Sequence, residues 1–243
     1  MIGGRVMIKK HKPFIAAILI FMIMSILSFF ILYGVINDKV AAAKEKIHYF
    51  TEAQVSQLDR VLSSYIQTAE TLKLLIVDSN GNINDFDRVA HQLYNDDNTF
   101  RSIQLAPQGD VQYVYPLEGN EGAFGNIFED PERATEAKKA RDTGETTLAG
   151  PFELYQSGKG IVVRQPIYLE ENGENNFWGF AIVVLNVPEI FDSVHLDSFE
   201  NMGYEYQLWR IDPDNNKKQI ILKSDHELLA VSYTHLRAHE TTL

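Results

Sequence analysis

The chain has 243 residues, of which 45% are hydrophobic, and this is enough apolar material for a folded core. Its formal net charge is −11, so an acidic surface argues against nucleic acid as a partner. It contains no cysteine, which excludes disulfides, thiolate metal sites and thiol nucleophiles. These values favour an acidic folded protein that works without cysteine chemistry.

The first predicted element is a membrane-spanning helix over residues 14–36. These residues include no charged side chain, and at about 1.5 Å of rise per residue they span a hydrocarbon core of roughly 30 Å. A cleaved signal peptide is the competing interpretation, but its apolar region is usually about 7–15 residues long and ends in small residues. Gly34-Val35-Ile36 does not resemble such an end, so the pattern favours an uncleaved anchor.

Basic residues precede this span and set its predicted orientation. Because positively charged flanks stay on the cytoplasmic side, we expect residues 1–13 in the cytoplasm and the following domain on the opposite side of the membrane. Residues 1–36 carry +4, so the remainder carries −15. The basic residues are Arg5, Lys9, Lys10 and Lys12.

A long stalk helix is predicted to follow over residues 37–77, where no proline or glycine occurs. Apolar residues recur there at helical spacing. Two interpretations of this stripe are open: the distal half packs on the protein's own domain, and the membrane-proximal half forms the seam of a parallel homodimer. The stripe consists of Ile47, Phe50, Val55, Leu58, Leu62, Tyr65, Ile66, Ala69, Leu72 and Ile76.

Residues 78–230 are predicted to form an α+β domain. A turn is expected at residues 78–82, followed by a short helix that begins at Asn84 or Asp85 and a further helix over residues 131–141. Helices that are separate from a meandering antiparallel sheet are typical of an α+β sensor-type fold. The predicted strands are residues 102–105, 111–115, 160–168, 177–186, 204–211 and 219–223, with hairpin turns at 107–110 and 212–215.

Motifs for catalysis are missing from the sequence. Gly158-Lys159-Gly160 lacks the earlier glycine and the following hydroxyl of a phosphate loop, and no nucleophile elbow occurs. We therefore expect no catalytic residue, no metal site and no cofactor in this chain. The many carboxylates leave an enzymatic alternative open, a membrane-tethered exported hydrolase that uses two of them. A tethered adhesin is a third hypothesis.

The C-terminal residues 231–243 differ in composition from everything before them. Residues 231–241 read VSYTHLRAHET. This string resembles one reading frame of the reverse-complemented transposase adapter that is used to prepare DNA sequencing libraries. The resemblance implies that residues 231–243 are not native sequence and that the readable protein stops near Ala230.

Several motifs between Tyr49 and Ser224 follow one another in an order typical of a known family. They are VYPLEGNE at 114–121, ARDTG at 140–144, LAGPFEL at 148–154 and RQPIY at 164–168. On these motifs the chain resembles the CHASE family, the extracytoplasmic sensor domain of bacterial histidine kinases and cyclic-dinucleotide enzymes and of plant cytokinin receptors.

The resemblance implies a stalk helix leading into two PAS-like antiparallel-sheet subdomains. The ligand would lie in the membrane-distal subdomain, and the proximal subdomain would be truncated here. A second membrane span and a cytoplasmic output domain are also implied, as in a sensor histidine kinase or a diguanylate cyclase or phosphodiesterase. The expected function is small-molecule sensing by a bacterial transmembrane receptor, with no catalysis by this fragment.

Five residues form the ligand site that this resemblance implies: Arg133, Leu148, Phe152, Tyr155 and Arg164. Arg133 falls where the plant receptors use an acidic residue to read an adenine ring, so the charge is reversed. Tyr155 replaces an aliphatic residue of those receptors, and Arg164 replaces a small hydroxyl. These differences favour a more polar or anionic ligand over an adenine.

The strand around Arg164 leaves two interpretations of this residue open. Alternation places Arg164 on the same face as Val162 and Pro166. If that face lines a cavity, the guanidinium is suited to bind a carboxylate or a phosphate. If the face is solvated, Arg164 is an ordinary surface charge.

Overall fold

The computed structural model describes residues 7–95, 97–154 and 158–224, and it describes side chains from residue 13 onward. Two compact units divide the chain, Met1–Ala53 and Gln54–Leu243. Residues 231–243 and the predicted site residue Tyr155 lie outside the described residues, so what the sequence predicts for them stays a prediction.

The first unit consists of the N-terminal part of one long helix, α1, which runs from Met7 to Asp78. Within the described residues, α1 is the one helix long and apolar enough to cross a membrane, with a mean hydropathy of 2.9 in its most apolar window. Apolar side chains such as Phe21 and Phe30 are exposed there. The helix therefore contains a candidate membrane span at the predicted position.

The second unit begins with the distal part of α1, which packs on the protein's own sheet. Its apolar residues recur every three or four positions, as one face of a helix requires. For this half of the predicted stalk, the structure confirms packing on the protein's own domain. The residues of this face are Ala69, Leu72 and Ile76 in the core, and Leu58, Leu62, Tyr65 and Ile66 against it.

Two leucines test how much this helix face contributes to stability. Leu72 is 1% exposed, whereas Leu74 is 57% exposed. We expect Leu72→Ala to lower the free energy of unfolding by about 3 kcal/mol, because it removes buried carbon atoms and leaves a cavity. Leu74→Ala is the matched control and should change that free energy by less than about 0.5 kcal/mol. Denaturant unfolding followed by circular dichroism measures both, and equal losses would contradict this packing.

A five-stranded antiparallel sheet, in the order β3-β1-β7-β6-β5, forms the centre of the second unit. Two further pairs, β2 with β4 and β8 with β9, accompany it. The strands are β1 (Phe100–Pro107), β2 (Asp110–Val111), β3 (Tyr113–Tyr115), β4 (Gly125–Asn126), β5 (Thr147–Glu153), β6 (Lys159–Glu171), β7 (Glu174–Val187), β8 (Gln207–Ile211) and β9 (Lys218–Lys223). The helices after α1 are α2 (Phe86–Leu93), α3 (Ala134–Thr143) and α4 (Asp197–Asn201), with short 3-10 helices at Glu121–Ala123, Ile127–Glu129 and Glu189–Val194.

The two faces of this sheet pack against different helices because side chains alternate along each strand. One face carries Ile103, Val163 and Val183 into a core shared with α1 and α2. The opposite face carries Val162, Ile182 and Val184 into a second core. That second core receives Ala137 and Ala140 from α3.

The end of α1 follows the predicted turn closely. Asn80 and Gly81 have φ values of 51° and 80°, the left-handed conformation that ends helices. A Cβ atom on Gly81 would lie 2.8 Å from Trp178 Nε1 and 2.9 Å from Leu169 Cδ1. The turn therefore presses against the β6–β7 hairpin, and α2 follows with Asp85 at its N-cap, as predicted.

Several elements differ from the sequence prediction. The segment predicted as one strand over 111–115 forms two strands, β2 and β3, and neither β4 nor α4 was predicted. β5 was not predicted, because Gly150-Pro151 interrupts its pattern; the structure accommodates this pair at a β-bulge on an edge strand, where proline is tolerated. The predicted helix over 131–141 begins later, at Ala134. The Asp130 carboxylate accepts the backbone N–H of Glu132 at 2.9 Å, and this forms a turn before the helix.

The β8–β9 hairpin is joined to α3 and β5 by a short chain of polar contacts. Arg210 Nη1 on β8 donates to Glu136 Oε1 on α3 at 2.8 Å, and both side chains are partly buried. Arg210 Nε also donates to Gln219 Oε1 at 2.8 Å. Gln219 Nε2 in turn donates to the carbonyl of Pro151 at 3.3 Å. The hairpin therefore supplies, through Arg210, the cation that pairs with Glu136.

Candidate ligand-binding site

A cavity of about 410 Å³ lies on the α3 side of the sheet. This volume falls in the range of sites that hold small organic molecules. Its floor is made by side chains from β1, β6 and β7, and its other walls by residues 122–131, Arg133 and Leu154. The floor residues are Gln104, Val162, Arg164, Ile182 and Val184.

Arg164 is the unusual residue of this floor. It is 1% exposed. Among the residues that the structure describes, neither its Nε nor its Nη1 has a hydrogen-bond partner. Burial lowers the pKa of the guanidinium to about 10, with the positive charge of Arg133 adding to the effect and the negative charge of Glu136 opposing it. The ligand-free protein therefore keeps a poorly satisfied cation in its interior.

The sequence left open whether the face that carries Arg164 lines a cavity or meets solvent; in the structure it lines the cavity. Its guanidinium carbon lies 5.8 Å from the centroid of the Phe180 ring, which is itself fully buried. A cation over an aromatic face gains some electrostatic stabilisation, but this does not replace the missing acceptors.

Arg133 is the second cation at the cavity, and it precedes the first turn of α3. Its Nε lies 3.1 Å from Asp130 Oδ2, and both side chains are mostly buried. Its guanidinium carbon lies 5.7 Å from the centroid of the Phe152 ring. Arg133 therefore has an anionic partner, whereas Nε and Nη1 of Arg164 have no partner among the described residues.

The other predicted site residues occupy different positions. Phe152 is buried in the α3-side core, beside Arg133 but outside the cavity lining. Leu148 is 37% exposed and is paired in register with Val163, whose side chain belongs to the opposite core. The structure thus brings Arg133, Phe152 and Arg164 together and leaves Leu148 away from them.

Gln104 lines the cavity floor and was missed from the sequence. It is buried, and its Nε2 donates to Ser102 Oγ at 3.0 Å. The available signal was that Ser102 and Gln104 stand at alternate positions of β1, because such residues share one face. Together with Arg164, Gln104 gives the floor two polar groups among apolar neighbours, the usual composition of a small-molecule site.

The walls formed by residues 122–131 were also not predicted as part of the site. They are held over the floor by the short β2–β4 pair, in which Asp110 faces Asn126 and Val111 faces Gly125. Asn126 also accepts the backbone N–H of Phe128 through its side chain at 2.9 Å. This segment contributes Glu129 and Asp130, the two carboxylates of the lining.

Two solved structures share the fold of this chain. An extracellular ligand binding receptor from Desulfohalobium retbaense superposes with a TM-score of 0.52 at 14% identity, over 67% of this chain and 29% of that one. The ligand binding domain of the Pseudomonas aeruginosa amino acid chemoreceptor PctB, in complex with L-Gln, superposes with a TM-score of 0.51 at 18% identity, over 73% of this chain and 67% of that one. This chain therefore spans less than a third of the first receptor's length.

Comparison at the level of sequence gives a more specific result. No curated protein sequence matches the chain. A family model does: residues 86–222 match the CHASE domain, and this stretch covers the sheet, α2, α3 and the whole lining of the cavity. That match extends over more than half of the chain and confirms the resemblance seen in the short motifs. The chain belongs to the CHASE family of extracellular sensor domains.

Proposed function

We propose that this sensor domain binds a small anionic molecule through Arg164. The observation that carries the proposal is the buried guanidinium at the floor of a cavity, with two N–H-bearing nitrogens unpaired within the described residues. A buried charge without partners is costly to the free protein. A carboxylate supplies both the opposite charge and the missing acceptors, so its binding would remove that cost.

We place this site in the extracellular part of a bacterial membrane receptor. In this proposal, the apolar segment of α1 crosses the inner membrane with the basic N-terminus in the cytoplasm, because positive flanks stay inside. The parent receptor would transmit binding to a cytoplasmic kinase, cyclase or phosphodiesterase domain. The membrane-proximal half of the stalk would pair with a second copy, which would cover Val40 and, one heptad further along the same face, Ile47.

The carboxylates near the cavity support binding over hydrolysis. A glycosidase-type hydrolase needs two carboxyl groups that face its substrate, one acting as an acid and one as a nucleophile or base. Asp130 is paired with Arg133 at 3.1 Å, and Glu136 is paired with Arg210 at 2.8 Å. Both carboxylates thus face a cation of the protein itself, whereas the hydrolase needs its two carboxyl groups to face a substrate.

Titration calorimetry tests the proposal directly. The whole chain, in detergent micelles, is titrated with hexanoate, with benzoate and with adenine. We expect both carboxylates to bind and adenine to give no heat of binding, because adenine has no anionic group to pair with Arg164. Tight binding of adenine together with no binding of either carboxylate would contradict the proposal.

A further inference from the structure

The charges around the cavity restrict the number of charges that the ligand carries as well as their sign. Among the described lining residues, the ionisable groups are two arginines, Arg133 and Arg164, and two carboxylates, Glu129 and Asp130. Their formal charges cancel. A strongly anionic ligand with several charges would therefore meet no excess of positive charge in this cavity.

Three of the charged groups at or beside the cavity are already paired. Arg133 and Asp130 are 3.1 Å apart and mostly shielded from water, so each largely neutralises the other. Glu136, which favours the charged form of Arg164, is itself 2.8 Å from Arg210. Glu129, the remaining carboxylate of the described lining, is exposed to water, which screens its charge. Among the described charged groups of the lining, Arg164 is the one that is buried and has no acceptors for its Nε and Nη1, so one buried positive charge is left for a ligand to balance.

The rest of the floor is apolar. Val162, Ile182 and Val184 surround Arg164 along neighbouring strands, and Ile127 and Leu154 contribute to the walls. An uncharged ligand body is favoured against these surfaces, because burying apolar atoms there releases water from both partners. A second charged group on the ligand would lie either in this apolar zone or beside Asp130 and Glu129.

From this arrangement we infer that the ligand is a monocarboxylate: one anionic head at Arg164, joined to an uncharged and largely apolar body. The inference rests on the proposed function and names the ligand class of that same site. A dicarboxylate of the same chain length is disfavoured for one of two reasons. Its second carboxylate would be repelled by Asp130, or it would have to take the place of Asp130 beside Arg133.

Pairs of acids of equal length test the inference. The whole chain in detergent micelles is titrated with butyrate against succinate and with hexanoate against adipate, at a pH where every carboxyl group is ionised. We expect each monocarboxylate to bind at least about tenfold more tightly than its partner, the size of effect expected when one unfavourable charge contact is added.

One substitution should change this preference. Asp130→Asn removes the charge that neutralises Arg133, yet its amide oxygen still accepts the Glu132 N–H that shapes the turn. We expect succinate and adipate to gain at least about tenfold in affinity relative to butyrate and hexanoate in this variant, because only the dicarboxylates have a second charge to place beside Arg133. The control is Asp142→Asn, which removes an exposed carboxylate paired with Arg141 and should leave all four affinities unchanged.

The possible outcomes separate the inference from the function on which it rests. If the wild-type protein binds succinate or adipate as tightly as the matched monocarboxylate, the ligand class is wrong, although an anion site remains. If none of the four acids binds, the anion site itself is wrong. The wild-type affinity ratios decide the inference even when Asp130→Asn fails to fold, which its thermal unfolding would reveal.

Discussion

Arg164→Met is expected to produce a ligand-free protein that is more stable than the wild type and no longer binds carboxylates. Methionine is flexible and apolar, so it can fill the space between Val162 and Ile182 without unpaired donors. Removing the unsatisfied guanidinium should raise the free energy of unfolding by about 1–3 kcal/mol. Losing the cation should weaken carboxylate binding at least thirtyfold, roughly the effect of truncating one member of a buried charge pair.

Unfolding experiments with and without hexanoate measure both effects. The wild type should gain stability from the ligand, whereas Arg164→Met should not respond to it. The matched control is Arg88→Met on the exposed face of α2, where the arginine lies 3.3 Å from Asp85 at the surface. This control should change stability by less than about 0.5 kcal/mol. A ligand-free Arg164→Met protein that is less stable than the wild type would mean that the guanidinium supports the fold.

Gly179→Ala is expected to lower the free energy of unfolding by about 4 kcal/mol or more, among the largest effects that one added methyl group can have. Gly179 lies in the central strand β7, opposite Pro107 of β1. A Cβ atom there would lie 2.3 Å from the carbonyl oxygen of Ala106 and 2.8 Å from the Cα of Pro107. Both atoms belong to the backbone of β1, so the clash cannot be relieved by moving a side chain.

Gly173→Ala, in the turn of the same hairpin, is the matched control for the stability loss expected of Gly179→Ala. Gly173 has a φ of +81° and no heavy atom within 4 Å of the added Cβ. Gly173→Ala should therefore cost only about 1 kcal/mol, the conformational penalty of a left-handed alanine. Denaturant unfolding monitored by circular dichroism compares the two variants. Losses of similar size would contradict the close approach of β1 and β7.

The parts of the fold that depend on local sequence were predictable. The absence of glycine and proline over residues 37–77 predicts a continuous helix there, and Asn80-Gly81 predicts its end; both are confirmed. β5 was missed although it pairs with the next strand in the chain, β6, because Gly150-Pro151 gives no strand pattern. Glycine and proline are both depleted in strands, so local propensity argues against a strand that the sheet nevertheless forms.

The candidate site was predictable only in part, for a similar reason. Strand alternation reduced Arg164 to two possible environments, and only the fold could choose between them. The pairing of Arg133 with Asp130 is local, since the two are one helical turn apart, but no sequence pattern showed that a cavity lies beside them. Gln104 comes from a strand far away in the chain and joins the floor through the order of the sheet.

The contact between Gly81 and Trp178 has a spectroscopic consequence. The chain contains two tryptophans. Trp178 touches the turn that ends α1, whereas Trp209 on β8 is 47% exposed, with the Lys218 ammonium 4.8 Å from its ring centroid. In a Trp209→Phe protein all indole emission would come from Trp178. The fluorescence of that protein would then monitor one junction, the place where the long helix meets the hairpin that carries Arg164.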